Sequence, residues 1–87
     1  MANYSLIFKK SVLKDLRALS KRDVVRILAC IQALAEEPHP PGCEKLSGQE
    51  RYRVRQGDYR IIYEIEDDVL TVIVVKVGHR REVYRSD

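Results

Sequence analysis

Between positions 51 and 60 the chain reads RYRVRQGDYR, with arginine at 51, 53, 55 and 60. On an extended strand Arg51, Arg53 and Arg55 share one face, because successive side chains alternate. Gly57-Asp58 is a two-residue turn signal with glycine first, as a type II′ hairpin prefers. That loop length sets Arg55 opposite Arg60, Val54 opposite Ile61, Arg53 opposite Ile62 and Tyr52 opposite Tyr63. Like charges placed directly opposite destabilise a sheet by roughly 0.2–1 kcal/mol, so the arginine pairing calls for a reason. A second basic segment follows Gly78 and contains His79, Arg80, Arg81, Tyr84 and Arg85. The planar guanidinium fork matches a pair of phosphate oxygens. Two such segments meeting at one end of a sheet read as a clamp for a polyanion. The competing reading is an ordinary charged face, neutralised by Glu64 or Glu66 or fanned into solvent.

The remaining side chains near these segments sort by type. Tyr52, Tyr59 and Tyr63 fall on the apolar face of the hairpin and read as core. Tyr84 lies between basic residues, where it either anchors the core or stacks on an unpaired base. Histidine is the side-chain type suited to proton transfer at neutral pH, so His79 is a candidate for substrate contact or catalysis, whereas His39 reads as a loop residue. No glycine-rich phosphate loop, nucleophile motif or metal-ligand spacing is present, so neither metal nor cofactor is expected. Chemistry would therefore rest on positioning and charge stabilisation. Those suffice for cleaving RNA, whose own 2′-hydroxyl is the nucleophile.

The elements that must hold this set can be read from periodicity. Asn3 to Lys9 alternates as a short strand, with Tyr4, Leu6 and Phe8 on the buried face. Ser11 offers a cap for a first helix of about two to three turns, with Val12, Leu13, Leu16 and Leu19 on one side. Ser20 with Asp23 three residues on resembles a capping box. Val24, Ile27, Leu28, Ile31, Leu34 and Ala35 then keep a helical period until Pro38, Pro40, Pro41 and Gly42 stop it. The loop from Glu37 to Gly48 shows no recognisable chemistry, although Leu46 could be anchored in the core. After the hairpin, a tight turn at Asp67-Asp68 leads to a third, almost wholly apolar strand from Val69 to Val77, ended by Gly78. The order β-α-α-β-β-β makes this an α+β fold, an αα-hairpin packed on one face of a small, mainly antiparallel sheet.

At 87 residues the chain reads as a single domain, 1–87. A net charge of +3 is modest, but the crowding of arginine from Arg51 onward favours a polyanionic partner. No run is apolar enough to span a membrane and no signal-peptide order is visible, which leads to the expectation of a cytoplasmic protein. Cys30 and Cys43 lack metal or redox spacing and carry no disulfide expectation.

The segments YRVRQGDYRIIYEI and VVKVGHRREVYR, with the β-α-α start, resemble the RelE branch of the RelE/ParE toxin superfamily over essentially the whole chain. The resemblance implies a small toxin that enters the ribosomal A site and cleaves mRNA by 2′-hydroxyl attack. It also implies a RelB-like antitoxin partner in a hetero-oligomeric complex. By position, Arg53 and Arg55 match the family's basic pair, Arg60 its phosphate-stabilising arginine, and Arg80 the arginine assisting the leaving group. Tyr84 matches the tyrosine stacked on the substrate, while Arg51, Arg81 and Arg85 are left as further substrate contacts. The best-known members carry lysine where this chain has Arg53 and Arg55. Arginine stays protonated and is a poor general base, so proton removal is left to electrostatics or to His79. A ParE-like inhibitor of DNA gyrase is the alternative, and a non-toxic RNA-binding module a third reading. Alanine at Arg60 or Arg80 is expected to leave folding little changed, both side chains being read as outside the core.

Overall fold

The computed structural model describes residues 3–46 and 50–79. Its elements run β1 (Ser5–Phe8), α1 (Lys10–Arg17), α2 (Lys21–Glu36), β2 (Glu44–Lys45), β3 (Arg51–Gln56), β4 (Tyr59–Glu66) and β5 (Thr71–His79). The five strands form one sheet in the order β1-β5-β4-β3-β2. β1 runs parallel to β5, and the other pairs are antiparallel. Both helices pack on the same face. Their Val12, Ile27, Ile31 and Leu34 meet Val54, Ile61, Tyr63, Ile65, Val72, Val74 and Val77 in the main core. Fully burying one such aliphatic side chain stabilises by roughly 1.5–3 kcal/mol.

Local chemistry explains most of the element ends. Ser20 Oγ accepts from the Asp23 amide at 3.2 Å, which caps α2 as its sequence signature anticipates. Glu37 leaves the helical region directly before Pro38. The cap expected at Ser11 is not used: Lys9 occupies the N-cap position with no side-chain bond, and Ser11 lies inside the first turn. The cause is the strand before it, since the Lys9 amide still donates to the Val74 carbonyl at 3.1 Å and the helix starts at the next residue. α1 instead caps the sheet, with Asp15 Oδ2 accepting from the Val77 amide at 3.4 Å beyond the end of β1.

The hairpin of β3 and β4 has the register read from its turn, with Arg55 opposite Arg60 and Tyr52 opposite Tyr63. Gly57 has φ +60° while Asp58 stays out of the left-handed region, the pattern of a type II′ turn. The next connection differs from the tight turn expected at Asp67-Asp68. It is a 3₁₀ turn, Asp67–Val69, followed by Leu70 at φ 45°. β5 accordingly begins at Thr71 rather than Val69, and it runs through Gly78 to His79 instead of stopping at the glycine. The expected structureless loop before the hairpin holds a further strand, β2, on the outer edge of β3.

One irregularity decides which way the end of β5 faces. Ile62 pairs with Lys76 but Tyr63 pairs with Val74, so Val75 is the extra residue of a bulge. The insertion shifts the alternation by one. Val72, Val74 and Val77 therefore all reach the helix side, while Val75 packs with Ile62, Ile73 and Leu46 in a small apolar cluster on the opposite face. Leu46 is thus anchored, in this second cluster rather than the main core.

Candidate functional site

The face of the sheet away from the helices carries the hairpin arginines. Because β3 alternates, Val54 enters the core while Arg51, Arg53 and Arg55 emerge on the other side. Arg60, directly across from Arg55, joins them. Arg53, Arg55 and Arg60 line a groove of about 320 Å³, closed at one side by Pro41, Gly42 and Glu44. Three guanidinium groups around one concave space have the charge and fork geometry that suit a phosphate or similar anion.

The arginines are not equivalent. Arg51 is held by Glu64, its Nε donating to Oε2 at 2.7 Å, so an anion at Arg51 must compete with a carboxylate. Arg53 lies 3.6 Å from Glu44 Oε1, with the Glu44 side chain 63% exposed. Arg55 is exposed on the strand. Arg60 is only 4% exposed, and its Nη1 reaches the Tyr59 carbonyl at 3.5 Å. The expectation that Arg60 stands outside the packed structure is therefore corrected: its charge is held largely away from bulk water. A guanidinium in that setting acts more strongly on a bound anion than one in solvent, since the local dielectric is lower. Its neighbour on β5 is Gly78, which adds no side chain on that flank.

The tyrosines behave as their alternation implies. Tyr63 is fully buried and stacks on Tyr52 at 5.8 Å, and its hydroxyl donates to the Pro38 carbonyl at 2.7 Å. Burial first, and then the Cys43 thiol, push the Tyr63 phenol well above the ordinary tyrosine range. His39 contacts Tyr52 edge-on at 5.1 Å, a packing role. Burial likewise pushes the Cys30 thiol up, away from the reactive thiolate. Cys30 and Cys43 are both free.

His79 is not brought to the arginine groove. Past the bulge it shares the parity of Val77, meets Tyr59 edge-on at 6.0 Å, and lines pockets on the helix side with Asp15, Asp23 and Arg26. Tyr59 is itself fixed there, its hydroxyl donating to Asp23 Oδ2 at 3.0 Å. A role for His79 beside Arg60 would require it to cross the sheet. Arg80, Arg81, Tyr84 and Arg85 lie outside the described residues. Among the described residues, no group of three or more His, Cys, Asp or Glu side chains is arranged to hold a metal. No helix among them is long and apolar enough to cross a membrane.

Sequence reasoning missed Glu44. A two-residue strand is too short for any periodicity to reveal, and its place is set by pairing with Arg53. The only local hint is an acidic residue between the proline stop and the arginine strand.

Comparison with known proteins agrees with the architecture. Residues 6–84 match the family described as ParE toxin of type II toxin-antitoxin system, parDE. Toxin RelG of Mycobacterium tuberculosis is 30% identical over 86 residues, covering 94% of this chain and 97% of that protein. The RelE–RelB complex from Pyrococcus horikoshii contains a chain with a TM-score of 0.81 at 32% identity, covering 92% of this chain and 97% of the other. The isolated Escherichia coli RelE toxin superposes with a TM-score of 0.77 at 28% identity, covering 95% and 93%. With the two helices on one face of a five-stranded mixed sheet, these matches mean that the chain belongs to the RelE/ParE superfamily of type II toxin–antitoxin toxins.

Proposed function

We propose that this toxin is a ribosome-dependent endoribonuclease that cleaves mRNA in the A site and so inhibits translation. The observation that carries the reading is the groove in which Arg53, Arg55 and the buried Arg60 converge. In-line attack of a 2′-hydroxyl needs its own phosphate held and the charge on the phosphorane oxygens offset, and fixed guanidinium groups supply both. Arg60 is assigned the non-bridging oxygens, and Arg53 and Arg55 the same phosphate and its neighbour. Arg80 is assigned the departing oxygen and Tyr84 the base stack. Arg51, Arg81 and Arg85 contact the flanking backbone, Arg51 in competition with Glu64. No metal takes part in this scheme. The whole chain acts as one toxin domain in the cytoplasm, and a RelB-like antitoxin, as in the RelB–RelE complexes of its relatives, covers the arginine face.

A second reading is favoured by one observation, the match to a family described as ParE toxin: a non-catalytic inhibitor of DNA gyrase. Expression in cells, followed by primer extension on translated messages, separates the two. Cuts within codons are expected. Intact messages with gyrase-linked DNA damage would overturn the ribonuclease reading. Little cleavage of free RNA is expected, because the ribosome is required to hold the substrate in line.

A further inference from the structure

The groove contains one group that the arginine clamp does not account for. Of the described residues lining it, Glu44 is the only proton acceptor; the others are Pro41, Gly42, Val54 and three arginines. The arginines stay protonated and cannot take a proton from a hydroxyl. We propose that Glu44 is the general base of the cleavage reaction, an inference that rests on the ribonuclease reading above.

Its position fits the task. Glu44 pairs with Arg53 across the β2–β3 ladder, and Arg55 lies two residues further along β3. With strands about 4.8 Å apart and a rise of about 3.3 Å per residue, the Glu44 and Arg55 backbones are about 8 Å apart. A phosphate clasped by Arg55 and Arg60 then has room for its ribose between the clamp and the carboxylate. Arg53, 3.6 Å from Oε1, aims the carboxylate into the groove. The Arg53 side chain is only 14% exposed, so Glu44 also offsets a shielded charge, a role that folding controls separate from proton transfer.

The step balances. The Glu44 carboxylate takes the 2′-hydroxyl proton and O2′ bonds to phosphorus. The P–O5′ bond breaks with its electron pair on O5′, which takes a proton from water. The products are a 2′,3′-cyclic phosphate and a 5′-hydroxyl. Among the described residues, the charged groups that line the groove with Glu44 are Arg53 and Arg55 from β3 and Arg60 from β4. Lys45 alternates to the other side and pairs with Glu50 at 3.3 Å.

The test is single-turnover cleavage of mRNA on programmed ribosomes at neutral pH by wild type, Glu44→Gln and Glu44→Asp, with ribosome binding and thermal melts measured alongside. Glu44→Gln should cleave about 10²–10⁴-fold more slowly, the usual contribution of a general base, and Glu44→Asp should cleave at an intermediate rate. Both variants should bind programmed ribosomes as wild type does and remain folded at the assay temperature. A folded Glu44→Gln that cuts at the wild-type rate, or a folded Glu44→Asp no faster than Glu44→Gln, would overturn the assignment and leave the ribonuclease reading standing. Wild type leaving ribosome-bound mRNA uncut would overturn both.

Discussion

Replacing Tyr63 by phenylalanine removes one hydroxyl from the core and little else. The ring is fully buried and stacked on Tyr52, and phenylalanine keeps that shape. What is lost is the bond to the Pro38 carbonyl at 2.7 Å, the tie between β4 and the segment leaving α2. Such a bond contributes roughly 0.5–1.5 kcal/mol net, and stranding a buried partner costs roughly 1–3 kcal/mol. A working figure is about 2 kcal/mol. At about 2.1 cal/mol/K per residue, 87 residues give an unfolding entropy near 0.18 kcal/mol/K, so the melting temperature should fall by about 10 °C. Circular dichroism melts and urea titrations at neutral pH measure it. A fall of less than about 3 °C would refute the claim that this hydroxyl anchors the loop. Alkaline pH supplies an independent check. The folded-state pKa of Tyr63 is raised by burial and then by Cys43, so the fold favours the neutral phenol. That stabilisation is complete below the ordinary tyrosine value of about 10 and is lost as pH rises above it, at up to about 1.4 kcal/mol per pH unit. The wild-type advantage over Tyr63→Phe should therefore shrink between neutral pH and about pH 11, and a constant gap would contradict the burial argument.

Three further outcomes are expected. Gly57→Ala should cost about 1 kcal/mol, from holding a Cβ at φ +60° where nothing crowds it; a urea titration measures this, and no loss would argue against the type II′ turn. Ser20→Ala should destabilise by about 1 kcal/mol through loss of the α2 cap, seen as a lower melting temperature. Arg60→Ala and Arg80→Ala should each lose about 10²-fold or more of cleavage on ribosome-bound mRNA. For Arg60 a melt must accompany the assay because the side chain is buried, and a folded variant that cuts at the wild-type rate would place the phosphate elsewhere.

Much of this architecture is legible in one dimension because it depends on local rules. Alternation in 51–65 and a two-residue turn set the pairing of Arg55 with Arg60 and the burial of Tyr63, since each strand position has only two faces to choose between. Ser20 and Pro38 bound α2 by satisfying or withholding backbone hydrogen bonds. The gathering of Arg53, Arg55 and Arg60 was visible for the same reason, being a set of like residues on one face of one hairpin. Three features depended on neighbours distant in the chain. Glu44 became part of the groove by pairing with Arg53, and two residues are too few to announce a strand. Arg60 lost its solvent to the surrounding fold, which residue type alone does not disclose. His79 was turned to the helix side by the bulge at Val75, where one extra residue reverses every later side chain. Residue types and spacing thus determined where the positive charge gathers. Tertiary packing decided which guanidinium is shielded, which carboxylate faces it, and which histidine does not, because burial and strand parity are set by contacts across the sheet.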